Sequence, residues 1–113
     1  MENVVVVLVT APAGETGVAL ARGLVEAGVC ACVNLVPGVL SVYRWKGEVC
    51  EEGEVLLVIK STLSGLARLE AAVLEAHPYD TPEFVVLDPV HVEGEYAAWV
   101  VGKVGGSAAR GSI

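Results

Sequence analysis

The chain predicts an α+β fold whose elements run β-α-β-β-α-β, with a long protruding hairpin between the second and third strands and a short C-terminal helix. Three observations predict it. Val4 to Thr10 is an unbroken apolar run, mostly β-branched. Two later stretches repeat apolar residues at helical spacing. Between them lies one extended stretch, Ala31 to Thr62, folded at Lys46-Gly47.

Taken in order, Val4-Val5-Val6-Val7-Leu8-Val9-Thr10 shows no polar alternation, so it reads as a strand buried on both faces. Ala11-Pro12-Ala13-Gly14 breaks it. Val18, Leu20, Ala21, Leu24 and Val25 then form one helical stripe, and Gly28 stands where a helix stop belongs. The first hairpin arm runs from Ala31 to Trp45 and the second from Glu48 to Thr62. An arm of about 15 residues at ~3.3 Å per residue spans about 50 Å. A compact domain of this length is only about 34 Å across. The hairpin therefore bends, which Pro37-Gly38 allows, or projects. Leu63, Leu66, Leu69, Ala72, Val73 and Ala76 make a second helix, stopped at His77-Pro78 because a residue before proline avoids the helical region. Phe84 to Leu87 is the fourth strand, closed by Asp88-Pro89. Glu95 to Val101 forms a short helix with Tyr96, Trp99 and Val100 on one side. Residues 1–104 make a single domain, and Gly105 to Ile113 has the composition of a flexible tail.

This order is the split βαβ arrangement of the ferredoxin-like fold. Right-handed crossovers put both main helices on one sheet face and leave the other to the last helix and to neighbours. The far end of the hairpin carries Val42, Tyr43 and Trp45, apolar groups that a single chain covers poorly. Bare strand edges with aromatic tips pair with other chains. Both features predict an oligomer, with Val42, Tyr43 and Trp45 in its contacts.

Composition narrows the function. Apolar residues make up 54% of the chain and charged residues 19%, with a net charge of −7. Nucleic acids and anionic membranes need a basic patch, so neither is an expected partner. No run of 18 apolar residues occurs, and the first apolar stretch lacks the basic flank of a signal peptide. Cys30, Cys32 and Cys50 are odd in number, and the first two are too close for an ordinary bridge, which fits a reduced, cytoplasmic setting.

Catalytic signatures are missing: there is no Gly-x-Ser-x-Gly, phosphate loop or Gly-x-Gly-x-x-Gly. The chain is not expected to be an enzyme. Cys30 and Cys32 sit among small apolar residues and read first as packing groups. His77 and His91 are too far apart in sequence for a local ligand pair, and no Cys-x-x-Cys occurs. Glu48, Glu51, Glu52 and Glu54 read as a solvated hairpin surface, with a hard-cation site as the alternative. His77-Pro78-Tyr79-Asp80-Thr81-Pro82-Glu83 differs from these. Two prolines stiffen a connector that carries a histidine, a tyrosine and two carboxylates, and rigid loops of this kind hold ligands.

The segments Ala31-Cys32-Val33-Asn34-Leu35-Val36-Pro37-Gly38-Val39, Tyr43-Arg44-Trp45-Lys46-Gly47-Glu48, Leu56 to Lys60, His77 to Glu83 and Tyr96-Ala97-Ala98-Trp99 resemble the CutA family of divalent-cation tolerance proteins. The resemblance covers residues 4 to about 101. It implies a ferredoxin-like subunit in a tight homotrimer with hairpins pairing across subunits, linked to tolerance of copper and other divalent metal ions. Some members resemble a copper site made of a cysteine near the end of the first strand and one or two histidines before Pro-Tyr. This chain has Val9 and Ala76 at two of those positions. His77 therefore remains as the principal ligand; either Cys32, Tyr79 or Glu83 from a neighbouring subunit joins it or copper is held weakly, and weak Cu(II) binding is expected. Arg44, Lys60, Tyr79 and Glu83 are the expected cleft residues. In a rival reading the trimer senses a small anionic ligand or nucleotide, with Arg44 and Lys60 as the anion-binding groups. A third reading is a structural scaffold without ligand.

Overall fold

The opening apolar run forms β1 (Val4–Pro12), two residues longer than its sequence pattern marks. A computed structural model of the chain describes residues 3–105. Gly14 precedes α1 (Glu15–Glu26). The hairpin consists of β2 (Cys32–Trp45) and β3 (Glu48–Thr62). There follow α2 (Leu66–Ala76), the three-residue β4 (Val85–Leu87) and α3 (Gly94–Lys103). The architecture is thus α+β, with three helices on a four-stranded sheet in the order β2-β3-β1-β4. Each neighbouring pair of strands is antiparallel.

Alternation along the strands decides what lies on each face. Val5, Val7, Val9 and Ala11 of β1 and Val55, Leu57 and Ile59 of β3 are buried together with Leu20, Ala21 and Leu24 of α1 and Leu69 and Val73 of α2. Both main helices therefore cover the same face. Val6, Leu8 and Thr10 point the other way and are only half-buried. The expectation that β1 is sealed on both sides is not met within one chain. Helix α3 covers only one end of the second face, where Val100 packs with Val4 and Ala31. Val36, Val85 and Leu87 remain exposed there.

One element boundary and one expected burial differ from the sequence pattern. Leu63 is not helical. Its N–H donates to the Asn3 carbonyl at 2.9 Å and its side chain is exposed, so the helix begins one turn later, after Gly65. Tyr96 and Trp99 do not bury with Val100. Their rings lie 5.7 Å apart and are exposed. At the C-terminus of α2, His77 takes an extended conformation (φ −76°, ψ 140°) ahead of Pro78, as the proline requires.

The hairpin turn is tight, with positive φ at both Lys46 (52°) and Gly47 (82°), the geometry that matches strand twist in two-residue loops. Near the base, Val36 pairs with Leu56 but Val39 pairs with Glu54, so β2 carries one residue more than β3 across the Pro37-Gly38 bulge. Bulge and projection both occur. The molecule measures 48 × 28 × 22 Å, and Leu40, Val42, Trp45 and Val49 on the distal hairpin are exposed. Among the described residues no helix is long and apolar enough to cross a membrane. Beyond Gly105, the expected tail lies outside the described residues.

Candidate functional site

A cavity of about 500 Å³ opens where the hairpin leaves the domain. Thr10 supplies its floor from β1, Ser41, Val42, Tyr43 and Trp45 come from β2, Glu54 from β3, and Tyr79, Thr81 and Glu83 from the connector after α2. The bulge makes this assembly possible. Past it, Ser41, Tyr43 and Trp45 of β2 share a face with Glu52 and Glu54 of β3.

Glu54 is the centre of the site. Only 6% of it is exposed, whereas Glu48, Glu51 and Glu52 of the same acidic run are exposed. Ser41 Oγ donates to its Oε1 at 2.6 Å and Tyr79 Oη donates to its Oε2 at 2.7 Å. A buried carboxylate needs such donors, because the water it has lost stabilised its charge. The Tyr79 phenol is held protonated, first by its own burial and then by the bond to Glu54. Tyr43 Oη donates to Glu52 at 2.8 Å, and that bond is the main cause that pushes the phenol up to about 12.

His77 supports the site from beneath. It is buried, its Nδ1 accepts the Tyr79 backbone N–H at 3.1 Å, and its Nε2 lies 2.8 Å from the Thr10 carbonyl oxygen. Only an Nε2–H tautomer satisfies both partners, since a carbonyl cannot donate. The imidazole thus fixes the connector to the end of β1, and its ring packs 4.7 Å from that of Tyr79. A metal ion would reach a ring nitrogen only by displacing one of these bonds.

Cys32 lies elsewhere. It pairs with Lys60, which in turn pairs with Val6, four residues back along β1 from Thr10, or about 13 Å along the strand. Its Sγ lies 3.6 Å from Lys60 Nζ and 3.5 Å from Tyr96 Oη, and Lys60 also donates to Asn34 Oδ1. Burial, followed by the charge of Cys32, pushes the neighbouring Cys30 thiol up to about 12, in keeping with a packing role. All three cysteines are free. Of the expected cleft residues, Tyr79 and Glu83 line the cavity, while Arg44 and Lys60 do not. Of the expected subunit contacts, Val42, Tyr43 and Trp45 line it as well. Among the described residues no group of three or more His, Cys, Asp or Glu could hold a metal ion.

Sequence reasoning passed over Thr10, Ser41 and Thr81, which carry no motif, and placed Glu54 among solvated acids. One local sign existed. Glu54 directly precedes the apolar run Val55 to Ile59, whereas the other glutamates lie nearer the turn.

A family model described as CutA1 divalent ion tolerance protein matches residues 5–103. The divalent-cation tolerance protein CutA of Thermus thermophilus is 44% identical over 95 residues, which cover 84% of this chain and 92% of that one. A solved structure of the divalent cation tolerance protein (Cut A1) from the same species superposes with a TM-score of 0.87 at 42% identity, covering 90% of this chain and 99% of that chain. The apo structure of the PII-like protein CutA from Nostoc sp. PCC 7120 superposes with a TM-score of 0.83 at 43% identity, covering 92% and 97%.

Proposed function

The chain belongs to the CutA1 divalent ion tolerance family, and from that premise we propose that it acts in divalent-cation tolerance as a ligand-binding cytoplasmic homotrimer, not as an enzyme, with the cavity at the hairpin base as its ligand site. Glu54 carries this reading. A carboxylate buried on the wall of an open cavity is costly to maintain for packing alone, and two neighbouring hydroxyls hold it in place. The subunit is read as ferredoxin-like because its element order and its sheet order β2-β3-β1-β4 agree with the split βαβ arrangement. Trimer formation would cover Leu40, Val42, Trp45 and Val49 on the hairpin and Val36, Val85 and Leu87 on the open sheet face. Free thiols fit the cytoplasm.

Copper enters this reading as a weak direct ligand. His77 has to release Thr10 or Tyr79 to bind it, and Cys32 belongs to a different part of the sheet, so ligation by both residues needs a second copy. A small-ligand-sensing regulatory trimer is the second reading. The aromatic lining of the cavity and the likeness to the PII-like protein of Nostoc favour it. Arg44 and Lys60 would then contribute from a neighbouring copy.

Light scattering combined with thermal melts in copper, zinc and manganese chlorides tests the proposal. The expected mass is three times that of the 11.7 kDa chain, with a melting temperature moved by at least one divalent ion. A single-chain mass refutes the trimer, and melts indifferent to every ion refute a direct metal response. His77→Ala should weaken Cu(II) binding, whereas His91→Ala, exposed and outside the cavity, should leave it unchanged.

A further inference from the structure

We propose that the cavity at the hairpin base is built for a small organic cation, an amine or guanidinium of about amino-acid size, with Glu54 as its counter-ion. This rests on the reading of that cavity as the ligand site and specifies the chemistry it accepts.

Charge comes first. Among the described residues the lining holds two acidic side chains, Glu54 and Glu83, and no Lys or Arg. Anionic ligands are disfavoured there, in a chain that already carries a net charge of −7. Each Glu54 oxygen accepts one hydroxyl, so about two of its roughly four acceptor positions remain for a ligand. Among the described residues no ion pair involves Glu54. Its charge is buried with dipoles but without a countercharge, and a cationic guest would supply one.

The walls come second. Tyr43, Trp45 and Tyr79 line the cavity. Aromatic faces attract ammonium and guanidinium groups, and the attraction grows as water is excluded. A bare metal ion is a poorer match. A hard cation such as Ca²⁺ takes six to eight oxygens, yet each Glu54 oxygen already accepts a hydroxyl, and no group of three or more His, Cys, Asp or Glu that could hold a metal occurs among the described residues. Size agrees as well, since about 500 Å³ lies within the usual range of small-molecule sites.

Calorimetry on the intact oligomer separates the alternatives with four probes: n-butylamine, n-butanol, sodium butyrate and manganese chloride. n-Butylamine, protonated at neutral pH, should bind at least about tenfold more tightly than n-butanol, and butyrate should give no heat. Glu54→Gln should weaken n-butylamine about tenfold and leave n-butanol unchanged. Glu83 is exposed on the connector, so Glu83→Gln tests the same idea without touching a buried group and should weaken n-butylamine about threefold. Equal binding of amine and alcohol, preference for butyrate, or an amine affinity untouched by both substitutions overturns the proposal. If manganese binds through Glu54 while n-butylamine does not, the cation proposal falls and the cavity stands as the ligand site. If no probe binds, both fall.

Discussion

Replacing Tyr79 with phenylalanine removes one oxygen atom and keeps the ring against His77. The lost hydroxyl donates to Glu54 Oε2 at 2.7 Å, one of two donors to a residue that is only 6% exposed. A hydrogen bond to a charged group contributes about 1.5–3 kcal/mol. The cavity beside Glu54 admits water, which can replace part of the bond, so the expected loss lies at the lower end, about 1.5–2 kcal/mol. For a domain of this size, that corresponds to a melting temperature lower by about 6–8 °C. The comparison must be made by circular dichroism at one fixed protein concentration, because association shifts apparent stability. A spectrophotometric titration supplies a second readout. Tyr79 ionises well above the ordinary phenol range, so the variant should lose one late-titrating tyrosine. An unchanged melting temperature, with the lost phenol titrating in the ordinary range, would refute the reasoning, because Glu54 would then depend on water and not on its hydroxyl partners.

Trp45→Ala should weaken the proposed oligomer more than the fold. The indole is 53% exposed in one chain, and covering that half at ~25 cal/mol per Å² is worth about 2–3 kcal/mol per site; a trimer that dilutes no more readily than wild type would place the interface elsewhere. Stability should fall on the alkaline side. Burial, then the Cys32 charge, raises the Cys30 thiol from 9.0 to about 12, and the bond to Glu52 raises Tyr43 from 10.0 to about 12. The unfolded chain releases these protons first, so stability is complete below about pH 9 and is lost as pH rises towards 12. Urea midpoints across that range should decline, and Cys30→Ala should flatten the earliest part; a level profile in the wild type would contradict this. Lys46→Asn should stabilise the protein by about 0.5–1 kcal/mol, because Lys46 holds φ at 52° where asparagine sits with less strain, and a lower urea midpoint would show that Lys46 makes a contact worth more than its strain.

Signals confined to a few neighbouring residues were legible in the sequence. The β-branched run of β1, the stripe of α1, the turn at Lys46-Gly47 and the stop at His77-Pro78 each depend on local sterics. Leu63 misled because its spacing continues the stripe of α2, while its backbone is claimed by Asn3 from the far end of the chain. His77 is harder still. Its partner Thr10 is 67 positions away, and a histidine that ties two elements together carries the same letter as one that binds metal. The cavity was half legible. Tyr79 and Glu83 stand on a proline-stiffened connector that invites notice, whereas Ser41 and Thr10 acquire a role only when three strands come into register. Glu54 was hidden by its neighbours: Glu52 shares its face, and Glu54 is buried because it lies lower on the hairpin, under Ser41 and Tyr79.

The extra residue at Pro37-Gly38 works as a phase switch for everything distal to it. Before the switch, even-numbered side chains of β2 share a face with even-numbered ones of β3; after it, odd-numbered ones do. The outer hairpin is therefore read in a different frame from the strand that carries it. The same sequence paired without the bulge would present Leu40, Val42 and Arg44 beside Glu54 in place of Ser41, Tyr43 and Trp45. Deleting Pro37 or Gly38 would straighten β2 and leave the distal pairs intact, so the surplus residue and not the side chains beside it sets which half of the outer hairpin lines the cavity. One sequence paired in two ways, bulged here or not, would offer opposite faces of the same outer hairpin to a ligand.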